Sequence, residues 1–176
     1  MIKKPTLLIV DDETSIIASL KRTFMNEDIH IISAASGEQG LRILEGARVD
    51  LVISDQNMPG MDGIDFIQQV RINYPETLTI ILTAHANIKN ALKAINEAGV
   101  YKFIIKPWDE DELLITVKRA FELLDMTRER DTFAQKIKTK DMLLAKLEKE
   151  HPGITKIDRN KDGAVILEPE NKNRSY

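Results

Sequence analysis

The sequence contains no cysteine, so neither a disulfide framework nor a thiolate metal site is open to it. No stretch approaches the roughly 18 consecutive apolar residues of a membrane span, and no membrane association is expected. The opening MIKKPTLLIVDD pairs basic residues with an apolar run that stops at Asp11. That run is too short for a signal-peptide core, which leads to the expectation of a cytoplasmic protein. Glycine-rich phosphate loops are missing too. Neither GxGxxG nor the GxxxxGKS/T pattern follows any apolar run, so kinase, GTPase and dinucleotide readings lack support. Strong charge of one sign is also lacking. The net of −3 argues against a general nucleic-acid binder, and nucleic acid is not an expected partner.

What is present is ordinary globular composition, 43% hydrophobic and 30% charged, close to average usage. The 176 residues suit one domain of typical size plus an appendage. Charge is unevenly spread. Residues 127–176 carry a net +3 and the remainder −6. An acidic front part fits a cation site, and the mildly basic tail reads as a solvated surface.

Chemistry gathers where apolar runs end. The stretch VDLVISDQNMPGMDG (49–63) begins as a β-branched run, as a strand covered on both faces would. It reaches Asp55, and then Pro59, Gly60 and Gly63 forbid a helix. TLLIV (6–10) is followed by Asp11, Asp12 and Glu13, TIIL (79–82) by Thr83 and Ala84, and YKFII (101–105) by Lys106 and Pro107. If these strands lie parallel, their end residues meet at one sheet edge, where open α/β sheets bind ligands. Carboxylates are hard ligands for Mg2+, and a lysine with a hydroxyl can hold phosphoryl oxygens.

Helical segments alternate with the strands. Thr14 or Ser15 can cap a helix through about Met25, and Ser36-Gly37-Glu38 opens one ending at Gly46. Others are expected over about 64–73 and 87–98, and from near Asp109. The β-α alternation predicts a parallel sheet with right-handed crossovers.

In these motifs the chain resembles the receiver domain of bacterial two-component response regulators, over about residues 5 to 125. The resemblance rests on Asp11-Asp12, Asp55 with Met58-Pro59-Gly60 and Asp62-Gly63, Thr83-Ala84, and Lys106-Pro107, in order and each at a strand end. It implies a flavodoxin-like (βα)5 three-layer sandwich with sheet order 2-1-3-4-5. It also implies that Asp55 is the phosphoacceptor, since a carboxylate is a competent nucleophile for phosphoryl transfer. Asp12 would bind Mg2+ directly and Asp11 would assist, with Asp55 and the backbone carbonyl of Asn57 completing the protein ligands. Glu13 reads better as a helix cap. Lys106 would pair with Asp55 and then with a phosphoryl oxygen, across a cis Lys106-Pro107 bond. Thr83 would donate to the phosphoryl group beside the small Ala84. Phe103 aligns with the family's switch aromatic, and Tyr101 is the alternative. Asn57 and His85 would tune how long the phosphate lasts.

From Asp109 to Glu150 there is no proline or glycine. Positions 123, 126, 133, 137, 144 and 147 are apolar at alternating seam spacing, with Arg130 and Lys140 interrupting. This predicts a coiled coil and a homodimer through that helix; a helix broken near 127–132 is the other reading. Residues 154–158 and 164–168 flank RNKDG as a hairpin. DRNKDG resembles the start of a calcium loop, but its twelfth position is Pro169, which removes the bidentate glutamate. The expected organisation is a receiver domain over 1–125, a helical extension over 126–150, and a hairpin with a flexible tail over 151–176.

The resemblance therefore implies a response regulator phosphorylated by a histidine kinase or histidine phosphotransfer protein, which switches contacts with a downstream protein or a second protomer. No enzymatic activity is expected beyond its own phosphorylation and dephosphorylation. A phosphoryl carrier or sink in a relay is the alternative, and a DNA-binding regulator a further one. No helix-turn-helix or cyclase pattern fits after residue 125, so output is expected through protein contacts.

Overall fold

The computed structural model describes residues 4–84 and 99–153. The expected helix over 87–98, His85, and the hairpin and tail beyond residue 153 lie outside the described residues. The chain divides into two compact units, Met1–Thr127 and Arg128–Tyr176.

In the first unit, β1 (Thr6–Val10), α1 (Thr14–Thr23), β2 (His30–Ala34), α2 (Gly37–Gly46), β3 (Leu51–Asp55), α3 (Gly63–Asn73), β4 (Leu78–Thr83) and β5 (Lys102–Ile105) follow in order. The last helix, α4, is a single element over Glu110–Glu150, with residues 128–150 belonging to the second unit. No break occurs near 127–132. All strand pairs are parallel and the sheet order is β2-β1-β3-β4-β5. This is the flavodoxin-like arrangement.

Both sheet faces are covered, which is why the strands read as unbroken apolar runs. Leu7, Ile9, Leu51, Ile53, Ile80 and Leu82 pack with Leu20 of α1, with Phe24 just past its end, and with Leu113, Val117 and Phe121 of α4. Leu8, Val10, Val52 and Ile81 pack on the other side with Leu44 of α2 and Phe66, Ile67 and Val70 of α3.

Local caps explain where helices begin. Ser36 accepts from Gln39 N at 3.2 Å, Asp62 from Asp65 N at 2.8 Å, and Asp109 from Glu112 N at 2.8 Å, satisfying orphan N–H groups. At α1 the expectation of a Thr14 or Ser15 cap is corrected in favour of the other expected cap, Glu13. Glu13 occupies the capping position but its side chain makes no capping hydrogen bond. Instead its N–H donates to Asp11 Oδ1 at 2.8 Å, a local turn that the acidic run supplies.

Close packing of α2 on α3 depends on Gly40, where a Cβ would lie 2.9 Å from the Phe66 ring. Phe66 is fully buried. Phe66→Ala is expected to cost about 3–5 kcal/mol in urea unfolding. A loss under about 1 kcal/mol would mean that α2 and α3 close over the void.

Candidate functional site

The parallel order brings the ends of β1, β3, β4 and β5 to one edge. Asp11 follows β1, Asp55 ends the adjacent β3, Thr83 ends β4, and Lys106 follows β5. The ladder continues past the strands: Gln56 N donates to Leu82 O at 2.9 Å and Lys106 N to Thr83 O at 2.8 Å.

Lys106 reaches inward from this edge. Its Nζ lies 2.6 Å from Asp55 Oδ1 and 3.1 Å from Asp11 Oδ2. The sequence reading paired Lys106 with Asp55 alone; the ion pair to Asp11 is an addition. Asp11 and Asp55 are both buried, so their charges are poorly hydrated and need a partner. Burial pushes the Asp11 carboxyl above its ordinary range, although the Glu13 N–H and Lys106 oppose that shift. Burial acting alone would lower Lys106. Hydrogen bonds to Asp55 and Asp11 outweigh it and hold the ammonium above its ordinary value.

The other expected site residues take distinct places. Asn57 N donates to Asp55 Oδ2 at 2.8 Å, which orients the carboxylate. Asp12 is exposed beside buried Asp11, and Thr83 is buried with Ala84 exposed next to it. Lys106-Pro107 is cis, as the resemblance implies. Phe103 and Tyr101 are both half-buried but join different cores. Phe103 packs on the α2–α3 side beside its register partner Ile81, and Tyr101 packs on the α1–α4 side. His85 lies outside the described residues.

A divalent cation fits the donor set. Two buried carboxylates converge within reach of one ammonium, and all donors are hard oxygens. Among the described residues no three His, Cys, Asp or Glu side chains form a ready cage. Mg2+ does not demand one, since it is commonly held by one or two carboxylates with its remaining positions on water or phosphate.

Comparison with known proteins places this geometry. The family model for the response regulator receiver domain matches residues 7–118. The chain belongs to the response regulator receiver family. The receiver is 35% identical over 120 residues to the hydrogenase transcriptional regulatory protein HoxA of Cupriavidus necator, covering 68% of this chain and 25% of that protein. It is 39% identical over 123 residues to the transcriptional regulatory protein GlrR of Escherichia coli, covering 69% and 28% respectively. The chain thus spans about a quarter of the length of these curated relatives. A solved CheY-like receiver domain from Methanospirillum hungatei superposes with a TM-score of 0.65 at 28% identity, over 73% of this chain and 99% of that one. The regulatory names of the two relatives lend no support to the expectation that nucleic acid is absent from the partners. No helix among the described residues is long and apolar enough to cross a membrane.

The raised Asp11 pKa has a definite sign for receiver stability. The folded state holds the Asp11 proton more tightly than the unfolded chain does, so charging Asp11 destabilises the fold as pH rises above the ordinary 3.8. Asp11→Asn is therefore expected to raise the urea midpoint at pH 7 in the presence of a chelator, and the gain should vanish near pH 3. An equal or lower midpoint at pH 7 would show that the Lys106–Asp11 contact outweighs the cost of burial.

Proposed function

We propose that this receiver is a phosphorylation-controlled interaction module, with Asp55 as the phosphoacceptor for a histidine kinase or histidine phosphotransfer protein. The observation that carries the reading is Asp55 at the central strand end, paired with Lys106 at 2.6 Å beside a second buried carboxylate. An Asp55 carboxylate oxygen attacks phosphorus, the P–N bond of phosphohistidine breaks as the P–O bond forms, and the released imidazole nitrogen takes a proton from water. The chain is the phosphoacceptor and not an enzyme acting on other substrates.

Each residue has a task in this scheme. The Asn57 N–H holds Asp55 Oδ2 and so aims the carboxylate. Lys106 moves from the two carboxylates to sharing a phosphoryl oxygen, and the Thr83 hydroxyl donates to another. Asp12, Asp11, Asp55 and the Asn57 carbonyl would hold Mg2+. When bound, Mg2+ supplies positive charge that offsets repulsion between the carboxylates and the incoming phosphoryl group. Phe103 responds to movement of Thr83, which lies on the same side of the sheet two residues beyond Ile81. Asn57 and His85 govern the lifetime of the anhydride.

Output then passes to protein contacts through β5 and α4. On α4, Met126, Phe133, Ile137 and Leu144 are exposed and recur at spacings of four and seven. An isolated amphipathic helix gains most of its stability by packing, and this supports a homodimer through α4. The names of HoxA and GlrR favour a second reading, in which the switched output acts in transcription; the shared segment would then be the phosphorylation-sensing part.

Labelling from acetyl phosphate with Mg2+ is expected in the wild-type chain, absent in Asp55→Asn and lost in Asp12→Ala with its fold intact. Persistent labelling of Asp55→Asn would overturn the acceptor assignment. For assembly, sedimentation of the full chain at tens of micromolar is expected to give a dimer and Ile137→Glu a monomer. Burying such a side chain is worth roughly 1.5–3 kcal/mol per chain. A wild-type monomer, phosphorylated or not, would remove the dimer from the proposal.

A further inference from the structure

We propose that Ser54 and Gly63 are positioning residues for Asp55, clamping its main-chain carbonyl from two sides and thereby setting where the carboxylate stands. The proposal rests on the reading of Asp55 as phosphoacceptor.

The Asp55 carbonyl oxygen has two close neighbours. From within β3, the fully buried Ser54 donates its hydroxyl to it at 2.9 Å. From the far end of the loop, Gly63 comes so near that no side chain fits between them. A Cβ at Gly63 would lie 1.9 Å from Asp55 O, and 2.9 Å from both Asp55 C and Gln56 Cα. These are backbone atoms, so no side-chain rotation relieves the clash. Gly63 is not among the glycines with positive φ, so its backbone conformation is open to any residue. Proximity to Asp55 is what demands glycine here.

The same contact closes the loop. Gly63 N donates to Gln56 O at 2.8 Å, tying together the two ends of residues 56–62. The Asn57 N–H that orients Asp55 Oδ2 hangs from this closed loop. Nor can α3 retreat to make room, since Phe66, Ile67 and Val70 are fully buried against the sheet. A methyl group at 63 must therefore push on Asp55 and Gln56, at the carboxylate that Lys106 meets at 2.6 Å. Displacements of about 1 Å at reacting groups can cost on the order of a hundredfold in rate.

A hydroxyl that merely satisfies itself in the core, and a glycine that merely permits packing, would affect stability and leave the chemistry alone. The test separates the two. The full chain and its variants Gly63→Ala, Ser54→Ala and Ser54→Thr are labelled from acetyl phosphate with Mg2+, at saturating and limiting donor. Urea midpoints are measured alongside. The Asn57 amide resonance is followed without donor or metal, as a direct report on the Asp55 carboxylate. The expected result is a loss of about a hundredfold in the saturating rate for Gly63→Ala and about tenfold for Ser54→Ala. Donor half-saturation is expected to be little changed, Ser54→Thr restored towards wild type, and the Asn57 amide shifted in both impaired variants. Wild-type rates and an unshifted Asn57 amide in folded Gly63→Ala and Ser54→Ala would overturn the proposal. If Gly63→Ala fails to fold, the Ser54 pair decides: equal rates in the alanine and threonine variants reject positioning. A wild-type chain that takes no label overturns the acceptor reading itself, and this inference with it.

Discussion

Two buried carboxylates and one ammonium form the interaction on which the rest of this receiver turns. Asp11 and Asp55 come from neighbouring strands, and Lys106 enters from the far edge strand to meet both. One positive charge faces two negative ones, and burial leaves the carboxylates poorly hydrated; the raised Asp11 proton affinity records first that burial and only then the nearby Asp55 charge. Such a cluster is poor at stabilising a fold. Its excess of negative charge suits it to attract a further cation, whose positive charge would in turn offset that of a phosphoryl group. A stability optimum and a functional optimum differ at this edge, as they commonly do where chemistry is housed.

The fold serves that cluster by delivering each member from a separate strand. The ladder between β3, β4 and β5 extends one residue beyond the strand ends, through Gln56 to Leu82 and Lys106 to Thr83. Backbone hydrogen bonding therefore places the side chains on either side of the site with little freedom. The loop after Asp55 is closed at its ends by the bond from Gly63 to Gln56. Rigid support of this kind is what a reacting carboxylate needs.

Much of this is legible in the sequence. Leu7 to Val10, Leu51 to Ile53 and Ile80 to Leu82 are buried on both faces, so they appear in the sequence as apolar runs with sharp ends, and the polar residue at each end stands out. Sheet order and the meeting of Asp11, Asp55, Thr83 and Lys106 followed from the family resemblance and parallel packing. The contacts that depend on exact distances were not legible. Nothing in the spacing of Lys106 and Asp11 announces an ion pair, because the register of β1 and β5 relative to each other is set by the two strands between them. Gly63 reads as loop punctuation, yet its requirement comes from the carbonyl of a residue eight positions earlier. The α1 start falls one residue earlier than a Thr14 or Ser15 cap would place it, because Asp11 accepts from the Glu13 N–H and turns the chain into the helix there.

The position of β3 in the sheet has one more effect. It is the middle strand, with two neighbours on one side and two on the other, and its residues are buried throughout. Amide exchange in such a strand requires opening close to the whole domain, whereas an outer strand can separate at much lower free energy. β5 is an outer strand, and its residues are half-buried or exposed. Opening free energy should therefore fall from β3 outward across β4 to β5. Asp55 sits on the part of the protein that yields last, and the strand carrying Phe103 on a part that yields early. Such a gradient lets a small change at a stiff centre be expressed as a larger population shift at a compliant edge.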